Sequence, residues 1–304
     1  MTKSSKNSMN VDDPKLLFEK GLELMDSDSD SPQVFWKALK LIRRSADQGY
    51  ADAQAALGLL HEEGFGVTPD YRKALKWFRL AAEQGVPLAQ TALGLLYQEG
   101  FGVAQNYEEA FKWFRLAADQ RYAPAETNLG LMYINGLGVT QNYREALKWF
   151  RLAAEQGFAD AENNLGFMYS KGHGVTQDHQ ESFKWYRLAA DHGYADALSI
   201  VGFMHLNGIG IARDFREALK WYRLAAKKGY ADAQNNIGLI YCNGLGVAQD
   251  HREGSRWFQL AAAQGYAPAQ HNLAVMYKNG LGVAQDHQEA GKWFRLAADQ
   301  GFAA

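Results

Sequence analysis

Tryptophan recurs along this chain at a fixed spacing of 36 residues, and only one of the eight tryptophans, Trp36, falls outside the register. The other seven are Trp77, Trp113, Trp149, Trp185, Trp221, Trp257 and Trp293. A period of this length predicts a solenoid of stacked units, in which each unit packs only on its neighbours. Because near-copies of one unit leave little room for a unique catalytic cleft, the period favours a binding surface.

Composition excludes several classes of protein. The net charge of −2 gives no reason to expect a nucleic acid as partner. No apolar run is long enough to cross a bilayer, so no membrane insertion is expected. The one cysteine, Cys242, excludes an internal disulfide framework. Because residues 1–13 lack the apolar stretch of a secretory signal, we predict a cytoplasmic protein, or an exported one if the chain is a processed form.

Each repeat predicts two short helices, as in residues 122–157, the reference repeat. Its first helix is predicted over residues 123–134, with a buried stripe at Ala125, Leu129, Met132 and Tyr133. Gly130 lets the partner helix approach closely, and only the seventh repeat replaces this glycine, with Ala274. The second helix is predicted to bury Ala146, Trp149, Phe150, Ala153 and Ala154. Helices of about three turns are marginal alone, so stability is expected to come from stacking.

Between the two helices, Gly136 is predicted to end the first in a left-handed C-cap. Asn142 and Glu145 predict a capping box at the start of the second: the asparagine accepts from a helical amide, and the glutamate reaches back to the cap. Six of the seven repeats carry such a pair.

The chain is predicted to be all-α, with seven repeats at 50–85, 86–121, 122–157, 158–193, 194–229, 230–265 and 266–301. Residues 14–49 are predicted to form a degenerate N-terminal capping repeat, because their last part matches the second helix. Residues 1–13 are predicted to be a disordered tail, and residues 302–304 a C-terminal stub. Because no polar capping helix follows the seventh repeat, two alternatives stay open: a C-terminal cap has been removed, or the open end associates with another molecule, including a second copy of the chain.

Every repeat from residue 50 to residue 301 follows the pattern Ala-x-Ala-x-x-x-Leu-Gly-x-x-Tyr-x-x-Gly-x-Gly-Val-x-x-Asp/Asn-x-x-x-Ala-x-x-Trp-x-x-x-Ala-Ala-x-x-Gly. This pattern resembles the Sel-one-like repeat (SLR), a relative of the tetratricopeptide repeat, and the uninterrupted repeats look most like the bacterial members. The resemblance implies a right-handed α/α superhelical solenoid of about eight antiparallel helix pairs, with first helices lining a concave groove. It also implies an adaptor that holds other proteins.

The repeats vary along one face of the first helix, which the resemblance places in the groove. Amide side chains recur on this face, and an amide suits an extended peptide backbone because it both donates and accepts hydrogen bonds. The predicted polar groove residues are Thr127, Asn128, Asn163, Asn164, Asn235, Asn236, His271 and Asn272. Two interpretations stay open: these side chains bind a peptide, or they bridge neighbouring helices.

The fifth repeat interrupts the asparagines with Ile200, Phe203 and Leu206. Together with Phe167 and Leu239 of the adjoining repeats, they predict an apolar patch in the middle of the groove. Exposed apolar patches often mark partner sites, and aromatic anchors dominate interface energies. The alternative is ordinary packing between helices.

Three further patterns are interpreted as structural. His179, His251 and His287 take the place of aromatic rings just inside the second helix, and no pair has metal-ligand spacing, so no metal or cofactor is predicted. The segment 136–139 lacks the third glycine and the preceding strand of a dinucleotide-binding motif. The recurrent lysine and arginine of the second helix indicate a solvated face.

We therefore predict a non-enzymatic scaffold that binds a protein or peptide in the groove, with Phe203 as the central anchor. One alternative is an immunity or inhibitor protein that covers a cognate secreted toxin, which predicts one tight partner rather than several weaker ones. A further alternative, an enzyme acting on cell-wall or β-lactam compounds, has no nucleophile–base pair to support it.

Overall fold

The computed structural model describes residues 12–27, 31–65 and 67–302, so most of the predicted tail and the last two residues of the stub lie outside the described residues. Regular structure in the described ranges consists of sixteen α-helices, which confirms the all-α prediction. The helices are α1 (Pro14–Met25), α2 (Pro32–Asp47), α3 (Ala51–Glu63), α4 (Tyr71–Glu83), α5 (Pro87–Glu99), α6 (Tyr107–Ala118), α7 (Ala123–Asn135), α8 (Tyr143–Ala154), α9 (Ala159–Lys171), α10 (His179–Asp191), α11 (Ala195–Asn207), α12 (Phe215–Lys227), α13 (Ala231–Asn243), α14 (His251–Ala263), α15 (Ala267–Asn279) and α16 (His287–Ala298).

The chain divides into two compact units, residues 1–156 with α1–α8 and residues 157–304 with α9–α16. We call them the N-terminal unit and the C-terminal unit. Within each, an odd-numbered helix packs on the even-numbered helix that follows it, and that helix packs on the next pair. The odd-numbered helices are therefore the first helices of the repeats, and the even-numbered helices are the second.

The pair α1 and α2 forms a repeat of its own at the start of the N-terminal unit. Asp12 and Asp13, assigned to the tail from the sequence, anchor its beginning. Asp13 accepts hydrogen bonds from the amides of Lys15 and Leu16, and Asp12 lies 2.5 Å from Arg44 of α2.

A glycine of the first helix and an aromatic ring of the second hold six of the seven later pairs together. A Cβ atom built on Gly130 would lie 2.5 Å from the ring of Phe150, whose side chain is fully buried. The same contact joins Gly58 to Phe78, Gly94 to Phe114, Gly166 to Tyr186, Gly202 to Tyr222 and Gly238 to Phe258. Where the seventh repeat has Ala274, its ring, Phe294, is only half-buried. The predicted close approach at this glycine is confirmed.

The periodic tryptophans are not the main core rings. Trp149 is buried, as predicted for the reference repeat, but the other six are only half-buried. In the six repeats other than the seventh, the residue after the tryptophan fills the core instead, because its ring faces the glycine of the first helix. The burial of Trp149 is therefore not shared by the six tryptophans at the same position of the other repeats.

The predicted capping box forms only in part. Asn142 Oδ1 accepts from the amides of Arg144 and Glu145 at 3.1 and 3.2 Å. The amide of Asn142 itself donates to the carbonyl of Tyr133, 2.9 Å away in the preceding helix, so the glutamate is not needed there. Glu145 pairs with Lys148 at 3.6 Å instead. The predicted hydrogen bond between the Glu145 side chain and the Asn142 amide was wrong, because the bond from this amide to the Tyr133 carbonyl replaces it.

Buried amides, which sequence reasoning missed, tie the first helices of three repeats to the turns on either side. Gln90 of α5 is typical: its Nε2 donates to the carbonyl of Ala82 at 3.1 Å, and its Oε1 accepts from Gln120 at 2.8 Å. Gln54 and Gln270 form the same two bonds in their repeats.

Glu126 occupies this position in the third repeat and forms only one of the two hydrogen bonds. A carboxylate cannot donate to the carbonyl that the glutamine amide reaches. Glu126 accepts from Gln156 at 2.7 Å, but its Oε1 has no hydrogen bond, and Arg121 Nε lies 3.5 Å away. Burial raises the pKa of the Glu126 carboxyl above its ordinary value of 4.5, and the nearby guanidinium offsets only part of this effect.

Replacing Glu126 with glutamine is expected to raise the free energy of unfolding at pH 7 by about 1 kcal/mol, because the missing hydrogen bond is restored. In the wild-type protein, the folded state holds the proton of the Glu126 carboxyl more tightly than the unfolded state does. The contribution of Glu126 to stability is therefore fully present below about pH 4.5 and is lost as the pH rises through the raised pKa.

Urea-induced unfolding of wild type and Glu126→Gln at pH 4.5 and pH 7 measures this dependence. The matched control is Gln90→Glu, which is expected to add the same pH dependence of the free energy of unfolding that Glu126→Gln removes. A difference between wild type and Glu126→Gln that does not change with pH would contradict the assignment.

Tyr222 of α12 carries a buried hydroxyl with no hydrogen-bond partner among the described residues. One repeat earlier, the hydroxyl of Tyr186 has Ser170 as its partner, but Leu206 takes the place of that serine beside Tyr222. An unpaired buried hydroxyl destabilises the folded state.

Tyr222→Phe is therefore expected to raise the free energy of unfolding by about 1 kcal/mol, whereas Tyr186→Phe is expected to lower it by about as much. Phenylalanine already fills this position in five other repeats. Urea-induced unfolding of both variants checks the prediction, and a loss of stability in Tyr222→Phe would contradict it.

Candidate functional site

Several predicted polar groove residues form hydrogen bonds within their own helix. Thr127 is buried, and its hydroxyl donates to the carbonyl four residues earlier, at 2.9 Å. The amides of Asn128 and Asn164 donate in the same way, each at 2.9 Å. Both asparagines are half-buried, so part of each side chain still faces solvent.

In the C-terminal unit one pair of predicted residues bridges two first helices. Asn272 Nδ2 of α15 donates to Oδ1 of the buried Asn235 of α13, at 2.9 Å. Asn236 and Asn163 are half-buried, and Asn163 Oδ1 has no hydrogen-bond partner among the described residues. The ring of His271 packs 5.3 Å from Phe294 and 5.6 Å from Phe302. The helix-bridging interpretation therefore accounts for Asn235 and Asn272, and the peptide-binding interpretation stays a prediction for the others.

The predicted apolar patch contains a cavity of about 390 Å³, which we call the α9–α11 cavity. Phe167 and Phe203 line it with 38% and 50% of their surface exposed, and Ile200 is a third lining residue. Leu206 and Leu239 are half-buried and pack against the hydrophobic core. The structure thus brings together three of the five predicted residues.

Eight lining residues were not predicted from the sequence: Ser170, Lys171, Gln177, His179, Ser182, Tyr186, Met204 and Ile209. The short side chain of Ser170 makes the space, since isoleucine and leucine stand at its position in the preceding and following repeats. Its hydroxyl donates to the carbonyl of Phe167 at 2.8 Å and therefore turns back toward its own helix. A small residue at a position where the neighbouring repeats carry long side chains was the signal that could have revealed the cavity.

The polar groups at the rim favour a partner that carries negative charge. Lys171 forms no ion pair with any residue that the structure describes, and no carboxylate lines the cavity. The side chain of His179 is exposed on the same rim. If a partner carried a carboxylate next to an apolar anchor residue, that carboxylate would lie near the ammonium group of Lys171, at the edge of a surface partly shielded from water.

Among residues 12–27, 31–65 and 67–302, no group of three or more histidine, cysteine or acidic side chains is placed to hold a metal ion. Within the same residues, no helix is both long and apolar enough to cross a membrane.

The chain matches known proteins over nearly its whole length. The Sel1 repeat model matches residues 21–50, 51–86, 87–122, 123–158, 159–194, 195–230, 231–266 and 267–302. A Sel1 repeat protein from Oxalobacter formigenes is 35% identical, with a TM-score of 0.69 over 95% of this chain and 83% of that one.

Two other solved structures are similar. A protective antigen present in uropathogenic Escherichia coli strains, which displays an SLR fold, is 35% identical with a TM-score of 0.84; the match covers 95% of this chain, which spans only 62% of that protein. An immunity protein from Pseudomonas aeruginosa is 21% identical with a TM-score of 0.50, over 70% of this chain and 80% of that one, and shares the fold alone. Among curated proteins, no match was found. Its eight matched repeats and its likeness to the Oxalobacter protein show that the chain belongs to the Sel1 repeat family.

Proposed function

We propose that this protein is a binding scaffold that holds a segment of another protein at the α9–α11 cavity. Sel1 repeat proteins are generally scaffolds for protein interactions. The observation that carries the proposal is the cavity of about 390 Å³ between two exposed phenylalanines on the first helices. An apolar side chain of the partner enters the cavity, and Phe203 contacts it as the main anchor.

The exposure of Phe203 supports this role. Half of its surface is exposed, although large apolar side chains of this kind are normally buried. Aromatic residues next to pockets contribute strongly to interface energies because they lose a large apolar surface to the partner. The neighbouring Lys171 adds preference for a partner with acidic residues next to its anchor.

Selection of a phage-displayed peptide library against the purified full chain tests the proposal. Fluorescence polarisation then gives the affinity of a selected peptide. Phe203→Glu is expected to weaken binding by at least about tenfold, because a charge at the rim opposes entry of an apolar side chain. Leu224→Glu is the matched control: Leu224 is 45% exposed on the second helix α12, away from the cavity. Circular dichroism verifies that both variants keep their helices.

Equal affinity of the selected peptide for wild type and Phe203→Glu would overturn the proposed site. Equal losses in Phe203→Glu and Leu224→Glu would also overturn it, since both variants then act through charge rather than through the cavity.

A further inference from the structure

A second cavity, in the N-terminal unit, is built in the same way as the α9–α11 cavity. Its volume is about 320 Å³, and its walls include Leu22 and Met25 of α1, Ala56, Leu59 and Leu60 of α3, and Phe65 just after α3. We call it the α1–α3 cavity. Its size falls in the range of cavities that bind small molecules or side chains.

The two cavities correspond residue by residue along the repeats. Five lining residues of the α1–α3 cavity lie 144 residues, or four repeats, before five of the α9–α11 cavity: Ile42 and Tyr186, Ala56 and Ile200, Leu59 and Phe203, Leu60 and Met204, Phe65 and Ile209. Behind each cavity a glycine meets the second helix. A Cβ on Gly21 would lie 2.7 Å from Ile42, as one on Gly166 would lie 2.8 Å from Tyr186.

The charge at the rim is opposite in the two cavities. Glu63 lines the α1–α3 cavity with an exposed side chain, and Glu62 precedes it, half-buried. Neither carboxylate forms an ion pair with the residues that the structure describes. Burial of Glu62 and the proximity of Glu63 raise the pKa of the Glu62 carboxyl.

A row of three aromatic rings begins at the wall of this cavity with Phe65. Phe65 is 62% exposed, and its ring lies 5.6 Å from that of Phe35. Trp36, the tryptophan outside the periodic register, is 58% exposed and lies 6.0 Å from Phe35. Aromatic faces attract lysine and arginine side chains.

We propose that the α1–α3 cavity binds a basic segment of a partner protein, in which an apolar side chain fills the cavity and a flanking lysine or arginine pairs with Glu63. The charge of the rim selects the flanking residues, and the apolar walls select the anchor. This site is separate from the α9–α11 cavity, so the chain carries two docking sites that prefer segments of opposite charge.

The probes are two peptides, acetyl-Lys-Lys-Leu-Phe-Lys-Lys-amide and its counterpart with glutamate in place of each lysine. Methionine methyl labelling of the full chain gives a separate NMR signal for each cavity, since Met25 lines one and Met204 the other. The basic peptide is expected to shift the Met25 signal, and the acidic peptide is not. The shift of Met204 reports on the α9–α11 cavity alone, so the two proposals succeed or fail separately.

Glu63→Lys is expected to weaken binding of the basic peptide by at least about tenfold and to reverse the preference for charge. Glu99→Lys is the matched control, because Glu99 is exposed at the same position of the next repeat and the change in net charge is identical. The binding is expected to weaken as salt is added.

Three results would overturn the proposal. The first is a Met25 signal that neither peptide shifts, or that both shift equally. The second is an equal loss of affinity in Glu63→Lys and Glu99→Lys, which means that only net charge acts. The third is a concentration-dependent dimer in sedimentation experiments that Glu63→Lys dissociates, which means that a second copy of the chain occupies the cavity.

Discussion

Replacing Phe114 with alanine is expected to lower the free energy of unfolding by about 3–5 kcal/mol, the cost of removing a buried aromatic ring and leaving a cavity. Phe114 is fully buried against Gly94, in the core of the N-terminal unit. Trp113→Ala removes a larger ring from the adjacent residue, but this ring is only half-buried. Its loss is expected to cost less than half as much, because only part of its surface leaves water on folding.

Urea-induced unfolding followed by circular dichroism compares the two variants. Because repeat arrays can unfold in steps, the protection of amides in α6 against hydrogen exchange gives the local free energy as well. A larger loss for Trp113→Ala than for Phe114→Ala would contradict the conclusion that Phe114, rather than Trp113, is the core ring of this repeat.

Gly210→Ala is expected to cost about 3 kcal/mol or more, although it adds only one methyl group. A Cβ atom at Gly210 would lie 1.9 Å from the carbonyl oxygen of His179, at the start of α10. A backbone oxygen cannot rotate away as a side chain can, so the connector would have to leave the preceding repeat. The φ of +70° adds a conformational penalty of about 1–2 kcal/mol for any residue with a side chain.

Gly229→Ala separates the contact from the conformation. Gly229 has a φ of +93°, but no atom lies within 4 Å of a Cβ built there. Only the conformational penalty of about 1–2 kcal/mol is expected. Arg121 stands at the same position of its own repeat with a φ of 63°, which shows that the fold tolerates a side chain there. Equal losses of thermal stability in Gly210→Ala and Gly229→Ala would show that the contact between repeats contributes nothing.

Helix positions and the caps next to them could be predicted from the sequence, because they depend on local patterns. The reference first helix was predicted over residues 123–134 and ends one residue later, at Asn135. Asn142 caps α8 as predicted, since the accepting side chain and the donating amides lie within three residues of each other. The role of Glu145 was not predictable, because the carbonyl of Tyr133 that replaces it comes from another helix.

The candidate site was predicted in outline and not in detail. The face that carries Phe167, Ile200 and Phe203 followed from comparing the repeats with one another. Leu206 and Leu239 lie on nearby positions of the same helices but pack against the core. Which apolar side chain packs and which lines a cavity depends on the size of its neighbours, as at Ser170.

By itself the sequence determined the period, the helix pairs, the glycines that bring the helices of a pair together, and membership of a repeat family, because each of these follows from residues a few positions apart or from their recurrence. Only the tertiary structure decided which ring of each tryptophan–aromatic pair enters the core, which amides bridge the turns, and where the two cavities open. Those features depend on contacts between helices about 20 to 40 residues apart, and such contacts are set by side-chain packing rather than by local periodicity.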